Sequence, residues 1–454
     1  MKTVLVLSCL LLIAQAEDPD QEQKPLQYLH IGDGSSREFE FPQNTRGVIV
    51  ISSGYRSSGG RKGRESLKQT VRVKSLDPDV ISVLNVTDGG RAGAANSYVI
   101  SIRSGVPGTA PLLIQLLDLD RDSAPVLIEE RTDYSIRVAA GEDDPAARLL
   151  ESGGLSHFSE NPILFALLPL IFVNKCAFGC KVEVEVLQAL LKRPLPLLLG
   201  VAGQFLIMPL YGYGLSRLAA LPKALSLGLV ITCSAPGGGG GYLYSLLLGG
   251  DVTLAISMTL VSTVVATAAM PLSSAFYGWL LGVHAALHVP FVKILGTLLF
   301  IAIPISLGML VKLRLPAVTR VLLTLIRPFS FVLIVGGIFM AYQMGSSILA
   351  HVRAPVVAAG VTVPVFGLLL GMAMARLAGL AAPQRRTVSI EVGVQNSLLA
   401  LAVMQLSFQR AEADYASQAP FLVALSSTTE MLLLVLAHAA HRRLCLTPAS
   451  RTPA

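Results

Sequence analysis

A carboxylate and two amides lie close together in a stretch that is otherwise apolar: Glu391, Gln395 and Asn396. A charge at the centre of a bilayer raises the free energy of insertion by about 2.5–3.5 kcal/mol, so Glu391 requires a compensating partner. Sodium is a hard cation that prefers oxygen ligands, and an unwound backbone would present oxygens from four nearby positions. They are the Glu391 carboxylate, the carbonyls of Val392 and Val394, and the Gln395 amide. The pattern predicts a sodium site, with a protonated or arginine-paired structural carboxylate as the alternative.

A second apolar stretch is interrupted in a similar way. Cys233-Ser234-Ala235-Pro236 is followed by five glycines at 237–241. Proline removes an amide donor and glycine gives no side chain to hold a helical path, so a helix should break there. Non-helical backbone at membrane depth survives only where protein or a water-filled cavity satisfies it, and paired broken helices mark the midplane site of transporters. The two breaks lie five spans apart, in the third and eighth predicted spans, which fits an inverted repeat.

Two further polar side chains lie in apolar segments. Gln204 could supply another oxygen to the sodium site, although for this residue alone an interhelical hydrogen bond is the stronger interpretation. Glu430 is a second acid at membrane depth, and it is interpreted either as a proton-coupling acid or as a neutral, hydrogen-bonded carboxyl.

Composition divides the chain of 454 residues into two parts. The first 160 residues contain 39 Asp, Glu, Lys and Arg, whereas the remaining 294 contain only 26. The second part is too apolar for a soluble protein. The net charge is −5 in the first part and +12 in the second, so the overall +7 is no nucleic-acid footprint. We find no nucleotide-binding or catalytic-triad motif, and we expect neither an enzyme nor a cofactor other than the coupling sodium ion.

The first part begins with a targeting segment and continues as a β-rich domain. Residues 1–16 have the pattern of a cleavable secretory signal. We expect residues 17–155 to form a lumenal or extracellular β-sandwich, because about eight short β-rich runs alternate with turn sequences. The runs are 26–31, 38–41, 47–52, 70–73, 80–86, 97–102, 112–117 and 134–138. Asn85-Val86-Thr87 is a glycosylation acceptor and agrees with lumenal exposure.

The second part, 161–440, is a multi-pass helical membrane domain with about nine predicted spans. They are 162–180, 196–216, 224–248, 252–281, 291–311, 328–349, 355–375, 388–408 and 418–437. An odd number of spans after a lumenal domain places the tail, 441–454, in the cytoplasm. The loops predicted inside carry thirteen Lys and Arg and those outside carry five, which supports the same orientation.

At the two interrupted spans the sequence resembles the sodium/bile acid cotransporter family, solute carrier family 10. The likeness covers about 161–440, and the β-rich domain is similar to that of the family's orphan branch, whose substrate is not established. The carrying motifs are Gly203-Gln204-Phe205-Leu206-Ile207-Met208-Pro209, the Pro236 and polyglycine break, Glu391-Val392-Gly393-Val394-Gln395-Asn396-Ser397-Leu398-Leu399-Ala400 and Asn174-Lys175-Cys176-Ala177-Phe178-Gly179-Cys180-Lys181.

The resemblance implies a core domain and a panel domain, with two broken helices crossing at mid-membrane. One family sodium site corresponds here to Gln204 and to Glu391 with its three neighbours Val392, Val394 and Gln395. The other site uses side-chain oxygens that this chain lacks. Gly241, Tyr242 and Ala255 occupy three of its positions, and only Thr259 keeps a suitable oxygen. The resemblance therefore leaves the second sodium unsupported.

Two functional hypotheses remain open from the sequence. The first is a sodium-coupled symporter of a small organic anion, in which the second-site residues and Gly237, Gly238, Gly241, Tyr242 and Asn396 lie near the substrate. The second is a non-transporting membrane protein whose lumenal β-domain binds a partner. Either protein would lie in the plasma membrane or in a membrane of the secretory pathway. The sequence leaves the substrate and the oligomeric state open.

Overall fold

The structure, a computed structural model, describes most of the strand and helix regions of the chain. The described ranges are 27–32, 34, 36–55, 68–92, 95–119, 125–139, 162–181, 192, 194–238, 240–283, 291–349, 352–408 and 410–446. The predicted signal, residues 1–16, and most of the predicted tail lie outside them.

Eight strands form the N-terminal domain, as the turn spacing predicts. They are β1 (Leu29–Ile31), β2 (Glu38–Pro42), β3 (Arg46–Ser53), β4 (Lys68–Ser75), β5 (Ile81–Ala92), β6 (Ala95–Ser104), β7 (Gly108–Leu119) and β8 (Val126–Ala139). Two four-stranded sheets have the orders β1-β3-β6-β5 and β2-β8-β7-β4. All pairings are antiparallel except that of β2 with β8.

Strict alternation buries one face of each sheet against the other. In β7 every second residue from Gly108 to Leu116 is buried, including Leu112 and Ile114. Along β6, Tyr98, Ile100 and Ile102 are buried in the same way. We refer to this β-sandwich as the ectodomain.

One arginine is buried at the edge of the ectodomain core. Arg131 is 7% exposed, and its guanidinium donates to the carbonyl of Leu29 at 2.7 Å and to Asp133 Oδ1 at 2.9 Å. The hydrogen bond from Arg131 holds the pKa of Asp133 below its ordinary value of 3.8. This pair ties β8 to β1.

Helices or pairs of shorter helices occupy each of the nine predicted spans. Five of the helical segments described are long and apolar enough to cross a membrane by length and composition alone, so the count of nine stays a prediction. The helices, numbered in chain order, are α1 (Pro162–Gly179), α2 (Leu195–Ala202), a π-helical turn (Gly203–Ile207), α3 (Met208–Leu218), α4 (Lys223–Cys233), α5 (Gly241–Leu247), α6 (Val252–Leu280), α7 (Phe291–Arg314), α8 (Pro316–Ile348), α9 (Ala354–Leu377), α10 (Ala382–Gly393), α11 (Ser397–Ser407), α12 (Arg410–Ala416) and α13 (Gln418–Leu446).

The helices pack into two groups. In the first, α1 packs along both α7 and α8, and a close approach at Gly179 and Gly308 brings the α1 and α7 backbones together. We call this group the side bundle. The second group, the site bundle, contains α2 to α6 and α9 to α13, and it includes both predicted breaks. The two bundles meet mainly through α7 against α6 and α11, and α8 also contacts α12 and α13.

Candidate functional site: two broken helices around a buried carboxylate

The two interrupted spans are both broken, and their unwound segments pair with each other. One break separates α4 from α5, and the other separates α10 from α11. Gly237 and Gln395 form an isolated antiparallel bridge. In it the Gly238 amide donates to the Val394 carbonyl at 2.7 Å, and the Asn396 amide donates to the Pro236 carbonyl at 2.8 Å. The paired segments thereby satisfy backbone groups that a helix would otherwise satisfy.

Glu391 lies in the last turn of α10, beside this bridge, and is 0% exposed. Its Oε2 atom accepts a hydrogen bond from Thr259 Oγ1 at 2.9 Å. Its Oε1 atom has no hydrogen-bond partner among the residues that the structure describes. Within the same residues no basic side chain forms a salt bridge with it. The arginine-paired interpretation of this acid is therefore unsupported.

The glycines of the other break make room for this carboxylate. A Cβ atom placed on Gly237 would lie 2.5 Å from Glu391 Oε2 and 3.1 Å from Gln204 Nε2. A Cβ atom placed on Gly241 would overlap Glu391 Oε1. A side chain at either position would therefore displace the acid, which gives two of the five glycines a physical reason.

Gln204 approaches the same place from the π-helical turn, a type of irregularity that is frequent at functional sites. Its Nε2 atom donates to the Glu391 carbonyl at 2.6 Å, so the predicted interhelical hydrogen bond is present. Gln395 donates from Nε2 to the Cys233 carbonyl at 3.0 Å, and its Oε1 atom is buried without a partner among the described residues. Two amides therefore hold the broken segments together, and one free amide oxygen remains.

The remaining predicted site residues, Val392, Val394 and Asn396, differ in what their oxygen atoms contact. The Val394 carbonyl already accepts from Gly238. The Val392 carbonyl faces α9, since a Cβ on Gly367 would lie 2.8 Å from it. Asn396 is the N-cap of α11, with Oδ1 accepting from the Leu399 amide at 3.2 Å.

Of the residues expected from the second family site, Thr259 alone gives this cluster a side-chain oxygen. Gly241 and Ala255 are buried and supply no side-chain oxygen. The Tyr242 ring packs against Phe178 of the side bundle, with ring centroids 5.6 Å apart. Thr259, which the resemblance assigns to a separate site, instead donates directly to Glu391.

Three serines near the crossing were missed by the sequence analysis. Ser262 Oγ accepts from the Gly237 amide at 3.2 Å, whereas the hydroxyls of Ser245 and Ser397 are buried without partners among the described residues. The spacing of Ser262 from Thr259, three residues along one helix, places both on one face and was the available signal. The two other serines gave none, because isolated serines are common in membrane helices.

Glu430 lies on α13, and both of its carboxylate oxygens are buried without a hydrogen-bond partner in the described part of the chain. The adjacent Met431 packs with Ile390 and Val394. The predicted neutral, hydrogen-bonded carboxyl has no visible partner, and a role in proton coupling stays a prediction.

Comparisons with known proteins agree with the division of the chain into a β-rich N-terminal part and a helical part. The family model described as "Sodium Bile acid symporter family" matches residues 168–352, and one described as "NTCP5/P3 N-terminal domain" matches 27–140. The bovine protein named P3 protein is 59% identical over 421 residues, covering 93% of this chain and 87% of that protein. Mouse sodium/bile acid cotransporter 5 is 41% identical over 406 residues, covering 89% of this chain and 90% of its own. Human ileal sodium/bile acid cotransporter is 33% identical over 270 residues, covering 58% of this chain and 74% of that protein. The chain therefore belongs to the sodium bile acid symporter family.

Proposed function

We propose that this protein is a symporter that couples sodium to the movement of a small organic anion, with Glu391 as the principal sodium ligand. One observation carries the proposal: the Glu391 carboxylate is fully buried at a crossing of broken helices and keeps one oxygen without a partner among the described residues. A buried carboxylate without a counter-charge is unfavourable, and a bound cation removes the penalty.

The ligand chemistry favours sodium. Glu391 Oε1 and Gln395 Oε1 are both buried and unpartnered in the described part of the chain, and the Thr259 hydroxyl contacts the same carboxylate. All three are oxygen donors, which suit hard cations. A single carboxylate matches a single positive charge.

One sodium ion per cycle is the stoichiometry that the residues support. At Gly241 and Ala255 the chain has no side-chain oxygen for a second ion, and Thr259 is already bonded to Glu391. We therefore propose a one-sodium cycle for this chain.

The organic anion would bind beside the sodium ion, at the crossing. The N-terminus of α11 begins there with its Asn396 cap, and the positive end of a helix favours a negative group. The bound sodium ion would add attraction for the anion, which couples the two binding events.

Transport would occur by alternating access, in which the site bundle moves against the side bundle. Sodium and the anion would order the two broken segments and shift the population between outward-open and inward-open states. Broken helices paired only through a short bridge are suited to such a change, because few hydrogen bonds must rearrange.

The membrane orientation is part of the proposal. The ectodomain contacts Lys223 and lies beside Arg353, and both residues belong to loops predicted on its own side of the membrane. We propose a lumenal or extracellular ectodomain and a cytoplasmic C-terminus, in the plasma membrane or a membrane of the secretory pathway.

Proteoliposomes test the proposal directly. Purified protein is reconstituted, an inward sodium gradient is imposed, and entry of radioactive sodium is measured with and without a panel of bile acids and sulfated steroids. At least one anion should accelerate sodium entry in the wild type and not in Glu391→Ala. Equal entry in the two proteins with every anion would overturn the proposal.

The missing oxygens at Gly241 and Ala255 favour one alternative, in which the helical part no longer transports and the ectodomain binds a partner. In that case the wild type and Glu391→Ala would show the same sodium entry. Labelling of partners on intact cells by a peroxidase fused to the ectodomain would then identify a protein that a fusion lacking residues 17–155 does not label.

A further inference from the structure

The ectodomain meets the membrane part through a loop that is held in a fixed shape. In the loop between β4 and β5, the Val80 amide donates to the Asp77 carbonyl at 3.2 Å and the Asp79 amide donates to Asp77 Oδ1 at 3.3 Å. The Asp79 carbonyl in turn accepts from the Val106 amide at 3.0 Å. The loop is therefore preformed before it reaches the helices.

This loop contacts the first residue of α4 in two ways. Lys223 Nζ donates to the Leu76 carbonyl at 2.9 Å. The Asp79 carboxylate also faces the backbone amide of Lys223, an interaction that lowers the pKa of this acid and partly offsets the rise caused by its burial. The residue before it, Pro222, is the N-cap of α4 and offers no side-chain acceptor. Since the first amides of a helix need acceptors from outside it, Asp79 supplies from the ectodomain what Pro222 lacks.

A second contact lies on α12. The carboxylate of Glu412 in α12 is only 7% exposed and faces the backbone amide of Thr109 in β7. The neighbouring Gly108 lies close to this acid, because a Cβ atom there would be 3.6 Å from Glu412 Oε1. At the first contact lies a cavity of about 310 Å³, lined by Asp79 of the ectodomain together with Pro222 and Arg353 of the membrane part.

Both contacts lead to the crossing of the broken helices. The fully buried α4 runs from Lys223 to Cys233, whose carbonyl accepts from Gln395 in the other break. On the second route, Asp414 of α12 accepts from Gln405 of α11 at 2.8 Å. The ectodomain therefore touches the outer end of one broken span and, through α12, the outer end of the other.

We propose that the ectodomain is a brace for the broken helices: Asp79 caps α4, Thr109 fixes α12, and the ectodomain moves with the site bundle as one body. The capping and bracing rest on the contacts alone, and only the shared movement rests on the proposed transport function. The ectodomain then acts as a positioning unit for the site and is more than a passive lumenal module.

Hydrogen exchange of the full-length protein tests the brace without reference to sodium. Asp79→Ala and Lys223→Met remove a capping acceptor and the donor to Leu76, and they should raise exchange of the peptide 223–233 about 2- to 30-fold, the range for loss of a helix cap. Asp79→Asn keeps a capping side chain and should restore protection.

The control for this experiment is Asp88→Ala. Asp88 is an exposed ectodomain acid that accepts a local turn hydrogen bond from the Gly90 amide, so its removal should leave the exchange of α4 unchanged. Unchanged exchange in Asp79→Ala and Lys223→Met, or equal damage by Asp79→Asn and Asp79→Ala, would overturn the brace.

Spin-label distances test the shared movement. Labels are placed by cysteine substitution at three exposed residues: Arg72 in the ectodomain, Leu377 in the site bundle and Leu313 in the side bundle. With sodium added, the distance from 72 to 377 should stay narrow and constant while that from 72 to 313 shifts. A broad or shifting 72–377 distance would overturn the proposal. Two constant distances would contradict sodium-driven movement and leave the brace supported.

Discussion

Replacing Gly241 with alanine tests whether the glycines of the first break exist to make room for Glu391. A Cβ atom at this position would overlap Oε1 of the acid and lie 2.9 Å from its Cδ atom. The backbone around Gly241 starts α5, where alanine is a better helix former than glycine, so helix stability is not lowered. The carboxylate is the group that has to move.

The size of the effect follows from the contacts that would be lost. A rotated carboxylate gives up the 2.9 Å hydrogen bond from Thr259. A hydrogen bond to a charged group contributes about 1.5–3 kcal/mol, which corresponds to a rise of about 10- to 150-fold in the dissociation constant for sodium.

The assay is a sodium titration of purified protein at constant ionic strength, with choline replacing sodium and thermal unfolding as the readout. Gly240→Ala is the matched control, because the nearest atom to its new Cβ, Tyr244 Cε2, lies at 3.4 Å. Gly240→Ala should titrate as the wild type does, and Gly241→Ala should need much more sodium. The same sodium midpoint in both variants would refute the steric argument.

Two further predictions concern the ectodomain. Arg131→Met should lower its free energy of unfolding by about 1–2 kcal/mol at neutral pH, because a partly buried pair with Asp133 is lost. The folded pKa of Asp133 is depressed, so this stability is present above its unfolded value of 3.8 and is lost as the pH falls through the folded value. The difference between the two proteins in chemical unfolding should therefore shrink in acid to the part contributed by the Arg131–Leu29 hydrogen bond, and a difference that does not change with pH would contradict the pair's role. Thr87→Ala should remove a glycan from Asn85, which is exposed on the edge strand β5, and the shift of the wild-type protein on glycosidase treatment should disappear. A treated wild type that migrates unchanged would contradict glycosylation at this site.

Much of the architecture was predictable because its signals are local. Alternating apolar residues fixed the strands of the β-sandwich, since the side-chain period of a strand is two. Proline followed by five glycines indicated the break after Cys233, and the acid and amides near Glu391 indicated the other. Most strands extend beyond the predicted runs, because backbone pairing continues past the apolar core, whereas β1 is shorter than its run, Leu29–Ile31 against 26–31.

The side-chain contacts around the two breaks were harder to predict from the sequence. That Thr259 donates to Glu391 depends on the packing of α6 against α10, which sequence spacing does not encode. Ser262 was missed although its spacing from Thr259 places both residues on one face of α6. The contacts of Asp79 and Glu412 were also missed, because each is an ordinary surface acid until the ectodomain meets the helices.

Sodium-dependent melting is the most direct test of the claim that a cation neutralises Glu391. Purified wild-type protein is unfolded thermally in sodium and in potassium at equal ionic strength, beside Glu391→Ala and the isosteric Glu391→Gln. Sodium at about ten times its dissociation constant stabilises the folded state by about 1.4 kcal/mol, a rise of about 2 °C in Tm for a domain of this size. We expect that rise in the wild type alone, and equal melting of the wild type in sodium and potassium would contradict a sodium site at Glu391.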